Sequence, residues 1–284
     1  MTSTVNDSVP GQRRHVAPAG RPASSLAARA YAVQQAFTRL PGEVHALREI
    51  ADAAGLDRAT THRILQTGVA DADGVFEQVG RGLYRLGTAT ARAGVQAMAH
   101  TPNAASTHHF LERLNRATGG LALLYVLSPL GGARRLCTDY VLGDLDPAEV
   151  GMTAEDVVSV SRSLRTGASG RVILAHLPRS IQDQVLAEEV PATAGPGVIR
   201  DNDALAASLA EIRQLGFGVG RQECMAGWDS VAAPVLWRDS IMGAVLMLKP
   251  SSEMPADLRP LIYHTLKTAE DISRLTATPL SAVV

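Results

Sequence analysis

Residues Leu47 to Leu65 read LREIADAAGLDRATTHRIL, and this stretch decides the fold of the N-terminal part of the chain. Two short helical patterns flank a tight turn. In the first, Leu47, Ile50 and Ala51 share a face, with Ala54 one turn on. Gly55 interrupts the pattern, supplying a turn with a positive φ that other residues adopt only under strain. Asp57 is a candidate N-cap for a second helix over Ala59 to Gln66. Ile64 and Leu65 face inward with the methyl of Thr61, which leaves Arg58, Ala59, Thr60, His62, Arg63 and Gln66 for solvent or a partner. Ala51 falls at the crossing of the two helices, where a larger side chain would force them apart. Two helices joined by a short turn containing Gly form the helix-turn-helix signature.

A hairpin follows at once. Val75 to Val79 (VFEQV) has strand character, Gly80-Arg81-Gly82 turns, and Leu83 to Leu86 (LYRL) returns, giving a winged helix. A plain helical hairpin explains neither the Gly-Arg-Gly tip nor the polar face of the second helix. The pattern therefore predicts a reader of double-stranded DNA. Arg58, Thr60, His62, Arg63 and Gln66 would meet the major groove, with Arg63 and Gln66 reaching bases and Arg58 and Thr60 falling to phosphate. Arg81 at the wing tip would touch the flanking backbone or minor groove, assisted by Arg85.

Composition bounds the alternatives. The chain has 284 residues, enough for two ordinary domains, with 27 basic and 28 acidic residues. That balance argues against a protein that coats nucleic acid broadly, but not against a sequence reader with a few arginines on one face. Cys137 and Cys224 have no metal or disulfide spacing, which suits a reducing cytoplasm. Met1 to Ser24 lacks the apolar core of a signal peptide, and no stretch is long and apolar enough to span a membrane. The expected location is cytoplasmic, with no membrane partner. No nucleophile elbow, phosphate-binding loop, dinucleotide fingerprint or zinc spacing occurs. Cys224 beside Glu223 resembles a thiol nucleophile, but no base is assignable to it. No catalytic residue, metal or cofactor is expected.

In order, residues 1–24 read as a disordered leader carrying Arg13, Arg14 and Arg21. Residues 25–87 form the winged helix-turn-helix domain. It opens with a helix whose Leu26, Ala30, Val33, Ala36, Phe37 and Leu40 share a face, stopped by Pro41-Gly42. Gly68 is expected to end the recognition helix, and Ala70 to Gly74 is a polar loop. Residues 88–115 read as a linker and dimerisation helix, interrupted or restarted at Pro102. Its adjacent His108 and His109 point apart and make a poor metal pair.

Residues 116–275 form a second domain, and 276–284 a flexible tail. Leu121 to Leu127 and Arg134 to Leu142 are strands around a turn at Pro129 to Gly132. Helices are expected at Thr153 to Leu164, at Arg171 to His176 seeded by Ala168-Ser169-Gly170, at Ser180 to Val190 capped by Ser180, and at Asn202 to Leu215 ended by Gly216. A strand starts at Phe217. Val231 to Leu236 and Ile241 to Leu248 make a final hairpin before a closing helix over Leu258 to Leu275. The whole reads as α+β: a winged helix, a linker helix and a sensor domain with a mixed or antiparallel sheet.

The chain resembles the IclR-type transcriptional regulators, whose sensor is GAF-like. The matching pieces are LREIADAAGLDRATTHRIL, GLYRLG at the wing, TGASGRVILAHLP at 166–178, LAEIRQLGFGV at 209–219 and GWDSVAAPVLWRDSIMGAVLMLKP at 227–250, in the family's order. The resemblance implies a homodimer, or a dimer of dimers, on a palindromic operator, more often as a repressor. It also implies a small organic effector, commonly an organic or aromatic acid. The family's effector positions fall here on Ala168, Ser169, Gly170, Gly220, Ser230, Leu246 and Leu248. Members that bind small carboxylates often offer an acid near 220, a Cys at 230 and serines at 246 and 248, where this chain has Gly, Ser, Leu and Leu. Such a lining replaces little of an anion's hydration. Two readings follow: a larger, more apolar or aromatic effector, or a degenerate pocket in a ligand-independent regulator or interaction module. Backbone N–H groups at Ala168 to Arg171 could still receive one oxygen, and Arg171 stands either at the site or on the surface.

Overall fold

The computed structural model describes residues 25–69, 74–98, 104–128, 133–144 and 161–277. The expected leader, the loop at 70–73, the Pro102 break, the 129–132 turn, most of the 153–164 helix and residues 278–284 lie outside them.

Helix α1 (Leu26–Arg39) is opened by Ser25, whose hydroxyl accepts from the Ala28 N–H. It packs on α2 (Leu47–Ala54) and α3 (Arg58–Val69) around Val33, Phe37, Ile50, Ile64 and Leu65. Gly55 ends α2 at φ 66°, and Leu56 folds back to donate to the Ala51 carbonyl. Asp57 caps α3, its Oδ1 accepting from the Thr60 N–H at 2.8 Å. Ala51 is buried at the helix crossing. Strand β1 (His45–Ala46) completes a sheet of order β1-β3-β2 with the wing strands β2 (Phe76–Gly80) and β3 (Leu83–Leu86). Gly68 does not end α3. It lies inside the helix because a Cβ there would stand 2.5 Å from the Phe76 ring, so glycine lets the wing strand approach.

His45 is buried against Phe37, ring edge to face, with centroids 5.6 Å apart. Burial pushes its imidazole below the ordinary 6.5, outweighing the charge of Glu49 and a hydrogen bond with the Gly42 backbone. A lowered folded pKa means the neutral ring is favoured. Its contribution is therefore intact above pH 6.5 and is lost as pH falls from there through the lowered value. Urea midpoints of the wild type and of His45→Phe should differ by a constant above that pH, with the wild type losing ground below it. A difference independent of pH would refute the assignment.

Helix α4 (Thr88–Met98) is largely exposed, and α5 (Ala104–Thr118) leads into the second domain. There six antiparallel strands run in the order β6-β5-β4-β9-β8-β7: β4 (Leu121–Ser128), β5 (Arg134–Val141), β6 (Arg162–Ser163), β7 (Gly218–Arg221), β8 (Trp228–Trp237) and β9 (Ser240–Pro250). Both faces are covered, which is why the strands read as continuous apolar runs. Leu121, Leu123, Tyr125, Ala232, Ala244 and Leu246 face α6 (Gly167–Ala175), α7 (Arg179–Ala187) and α8 (Asn202–Leu215). The alternate residues Ala122, Leu124, Val231, Ala233, Val245 and Met247 face α5 and α9 (Arg259–Ala277).

The described residues correct two expectations. Arg162–Ser163 is a strand, not a helix end, because Arg134 and Arg135 of β5 pair with it. Helix α7 starts after Pro178 with Ser180 inside its first turn rather than capping it, and it stops at Ala187. The linker carries two helices, α4 and α5, on either side of Pro102, in line with the expected interruption or restart.

Candidate functional site

The exposed face of α3 and the wing form one surface. Arg58, His62, Arg63 and Arg81 are exposed, and Thr60 is half-buried. Among the described residues, no hydrogen bond or ion pair engages the side chains of Arg58, Arg63 or Arg81. Gly82, at φ 70°, completes the two-residue turn that carries Arg81 outward. Two sequence-predicted residues are placed otherwise. Gln66 is half-buried, its Nε2 donating to Tyr84 Oη at 3.0 Å and Gln78 Oε1 at 3.2 Å, so its amide ties α3 to the wing rather than reaching outward. Arg85 forks onto Glu77 at 2.8 and 3.1 Å, which cancels its charge locally. In both cases the partner lies on a strand whose register the sequence alone does not give.

Within the second domain, strand pairing places distant residues on one rung: Gly220 opposite Ser230, Ser230 opposite Leu248, and Leu248 opposite Leu121. Above this row lies a cavity of about 230 Å³. Ala168, Ser169, Ser230, Leu246 and Leu248 line it as expected from sequence, and Leu123, Arg162, Thr193, Glu223, Cys224, Met225 and Trp228 complete it. Gly170 and Gly220 are not among the lining residues. A Cβ at Gly170 would fall 2.3 Å from Arg135 Nη1, so this glycine makes room for a guanidinium behind the cavity wall. A Cβ at Gly220 would stand 2.7 Å from Ser230 Oγ and 3.3 Å from the Ala168 Cβ, so its bareness lets those two residues close together.

Arg171 is neither a surface residue nor an anion anchor. It is buried, forked onto buried Glu223, and donates to the Val219 carbonyl at 2.6 Å. Glu223 thus borders the cavity with its charge already matched. Arg162 supplies the cavity's cationic side chain, which no helical reading of its segment could place. Thr166 N-caps α6 with no side-chain cap bond, leaving the first-turn N–H groups near Ala168 and Ser169 for another acceptor. A larger groove of about 550 Å³ runs between α1 and α3, but its polar side chains, Tyr31, Gln34, Arg63 and Thr67, are scattered among apolar ones, so it offers few groups to orient a small ligand. Among the described residues no cluster of His, Cys, Asp and Glu could hold a metal, and no helix is long and apolar enough to cross a membrane.

Comparisons with known proteins agree with this architecture. The profile of the IclR helix-turn-helix domain matches residues 26–67, and that of the C-terminal domain of the bacterial transcriptional regulator IclR matches residues 95–274. The probable transcriptional regulator SauR of Cupriavidus necator is 28% identical over 250 residues, 87% of this chain and 95% of its own. The probable HTH-type transcriptional regulator ArcR of Halobacterium salinarum is 26% identical over 222 residues, 73% and 77% of the two chains. Among solved structures, the Thermotoga maritima IclR superposes with a TM-score of 0.55 at 20% identity, covering 88% of this chain and 98% of its own. An IclR homolog from Microbacterium hydrocarbonoxydans, solved with 4-hydroxybenzoate, gives 0.53 at 20% identity, covering 89% and 99%. These matched proteins are regulators rather than enzymes. With a winged helix presenting exposed arginines, a six-stranded antiparallel second domain and both family profiles matched in chain order, the chain belongs to the IclR family of DNA-binding transcriptional regulators.

Proposed function

We propose that this regulator is a cytoplasmic homodimeric repressor that reads a palindromic operator and responds to a single-ring aromatic acid. Exposed Arg58, Arg63 and Arg81, without a partner among the described residues, support the DNA reading. A recognition helix supplies base contacts from its exposed residues, here Arg63 with His62, while Arg58 and Thr60 serve phosphate and Arg81 the flanking backbone or minor groove. Two such faces related by two-fold symmetry call for a palindrome.

The cavity supports the effector class. A cavity of about 150 Å³ accepts benzene, so one of about 230 Å³ suits a substituted ring. Leu123, Leu246, Leu248, Met225 and Trp228 would take the ring, and Arg162, Ser169 and the start of α6 its anionic group. The Microbacterium homolog's 4-hydroxybenzoate is of this class. A short aliphatic acid would bury the same charge while leaving the apolar walls unfilled.

Selection of bound sequences from random duplex DNA by the full-length protein tests the first half. A palindromic consensus is expected, and no enrichment would sink it. Calorimetry with aromatic and short aliphatic carboxylates tests the second. Aromatic acids are expected to bind at least tenfold tighter, and Arg162→Ala to weaken them by about tenfold or more, the cost of losing a charged hydrogen bond. No binding by any acid would instead favour the ligand-independent reading.

A further inference from the structure

Cys224 is left unused by the reading above, and its surroundings are unusual. Its Sγ lies in the cavity wall, 3.3 Å from Nη2 of Arg135. Arg135 is 1% exposed. Its guanidinium donates to the Ser163 and Thr166 carbonyls and sits over the Tyr125 ring at 5.4 Å, and its Nε has no partner. Among the described residues no carboxylate pairs with it. A buried cation without an anion is costly, and the one non-carbonyl acceptor it addresses is this sulfur. The chain makes room for the arrangement: a Cβ at Gly167 would stand 2.3 Å from Cys224 Sγ, and one at Gly170 2.3 Å from Arg135 Nη1. Sγ therefore faces a guanidinium and the opening turn of α6, the setting in which reactive cysteines occur. Cys137 is the contrast. It is buried, and burial pushes its thiol up to about 12.

We propose that Cys224 is a covalent capture site for aromatic α,β-unsaturated carbonyl compounds that enter the sensor cavity, a proposal that rests on the reading of that cavity as a ligand site. The sulfur bonds to the β-carbon, the C=C π bond opens toward the carbonyl, and the thiol proton ends on the α-carbon. The addition consumes no oxidant or reductant. Negative charge developing on the carbonyl oxygen is met by the first-turn N–H groups of α6, while Trp228 and the leucines hold the ring. The reaction is stoichiometric, one ligand per chain, with solvent carrying the proton from sulfur to the α-carbon.

The test uses the full-length protein, its Cys224→Ser variant and the aromatic enone 4-phenylbut-3-en-2-one, followed by intact mass and peptide mapping. The saturated ketone 4-phenylbutan-2-one, which can bind but not react, serves as competitor. One adduct per chain on Cys224 is expected, with a rate that saturates in enone, that exceeds glutathione's by at least about tenfold at the same pH, and that the saturated ketone suppresses. Cys137 and the Cys224→Ser protein should remain unmodified. A rate linear in enone and equal to glutathione's, or equal labelling of Cys137, would overturn the proposal. If calorimetry shows the saturated ketone and aromatic acids bound while Cys224 stays inert, capture fails and the cavity reading stands. If nothing binds, both fall.

Discussion

Replacing Arg63 with alanine is expected to collapse sequence-specific binding toward the non-specific level. Arg63 is exposed on α3 with no intramolecular partner among the described residues, and a bidentate arginine–guanine pair is worth roughly 1–3 kcal/mol of discrimination. A dimer loses that contact in both half-sites, so roughly 2–6 kcal/mol, or about 30-fold to beyond 10⁴-fold, disappears from the specific complex. Anisotropy titrations at matched salt on the selected palindrome and on a scrambled duplex would measure it. Arg63→Lys should not rescue, because an ammonium cannot fork onto a base edge. Equal losses on both duplexes would reduce Arg63 to a phosphate contact. Gln66→Ala should change base preference little, since its amide is engaged by Tyr84 and Gln78.

The largest stability effect is expected at Arg171→Ala. The substitution leaves Glu223 buried without its guanidinium, and breaking such a pair from one side costs about 3–5 kcal/mol. Replacing both members, as in Arg171→Met with Glu223→Leu, should recover most of that loss, because no uncompensated charge remains. Both tryptophans, Trp228 and Trp237, lie in the second domain, so their fluorescence during urea unfolding reports on it. A loss below about 1 kcal/mol for the single variant, the range of exposed pairs, would show that water reaches Glu223 in the folded protein.

Local signals in the sequence were faithful where a single residue dictates backbone geometry. Gly55, Asp57 and Gly216 each do in the structure what their chemistry requires, and Asn202–Leu215 has the bounds its apolar spacing indicates. Legibility failed where a residue's role depends on a partner far along the chain. Arg171 meets Glu223 across 52 positions, and Gln66 meets Tyr84 across 18. Gly68 looked like a stop because its purpose, admitting the Phe76 ring, belongs to another element. In the cavity, the resemblance led to five lining residues, all on α6 or the paired strands β8 and β9. It missed Leu123 and Trp228, on β4 and at the start of β8, and also Arg162, Thr193, Glu223, Cys224 and Met225, which come from a two-residue strand and from loops with no periodic pattern.

The alternation of side chains along β9 has a consequence for how a bound molecule is felt at a distance. Leu246 touches the cavity, while Val245 and Met247 press on the α5 and α9 layer that continues toward the linker. The two compartments are separated by one thickness of backbone. A ligand that displaced Leu246 would bear on the same strand that carries Val245 and Met247, held on both sides by the hydrogen-bonded ladders to β4 and β8.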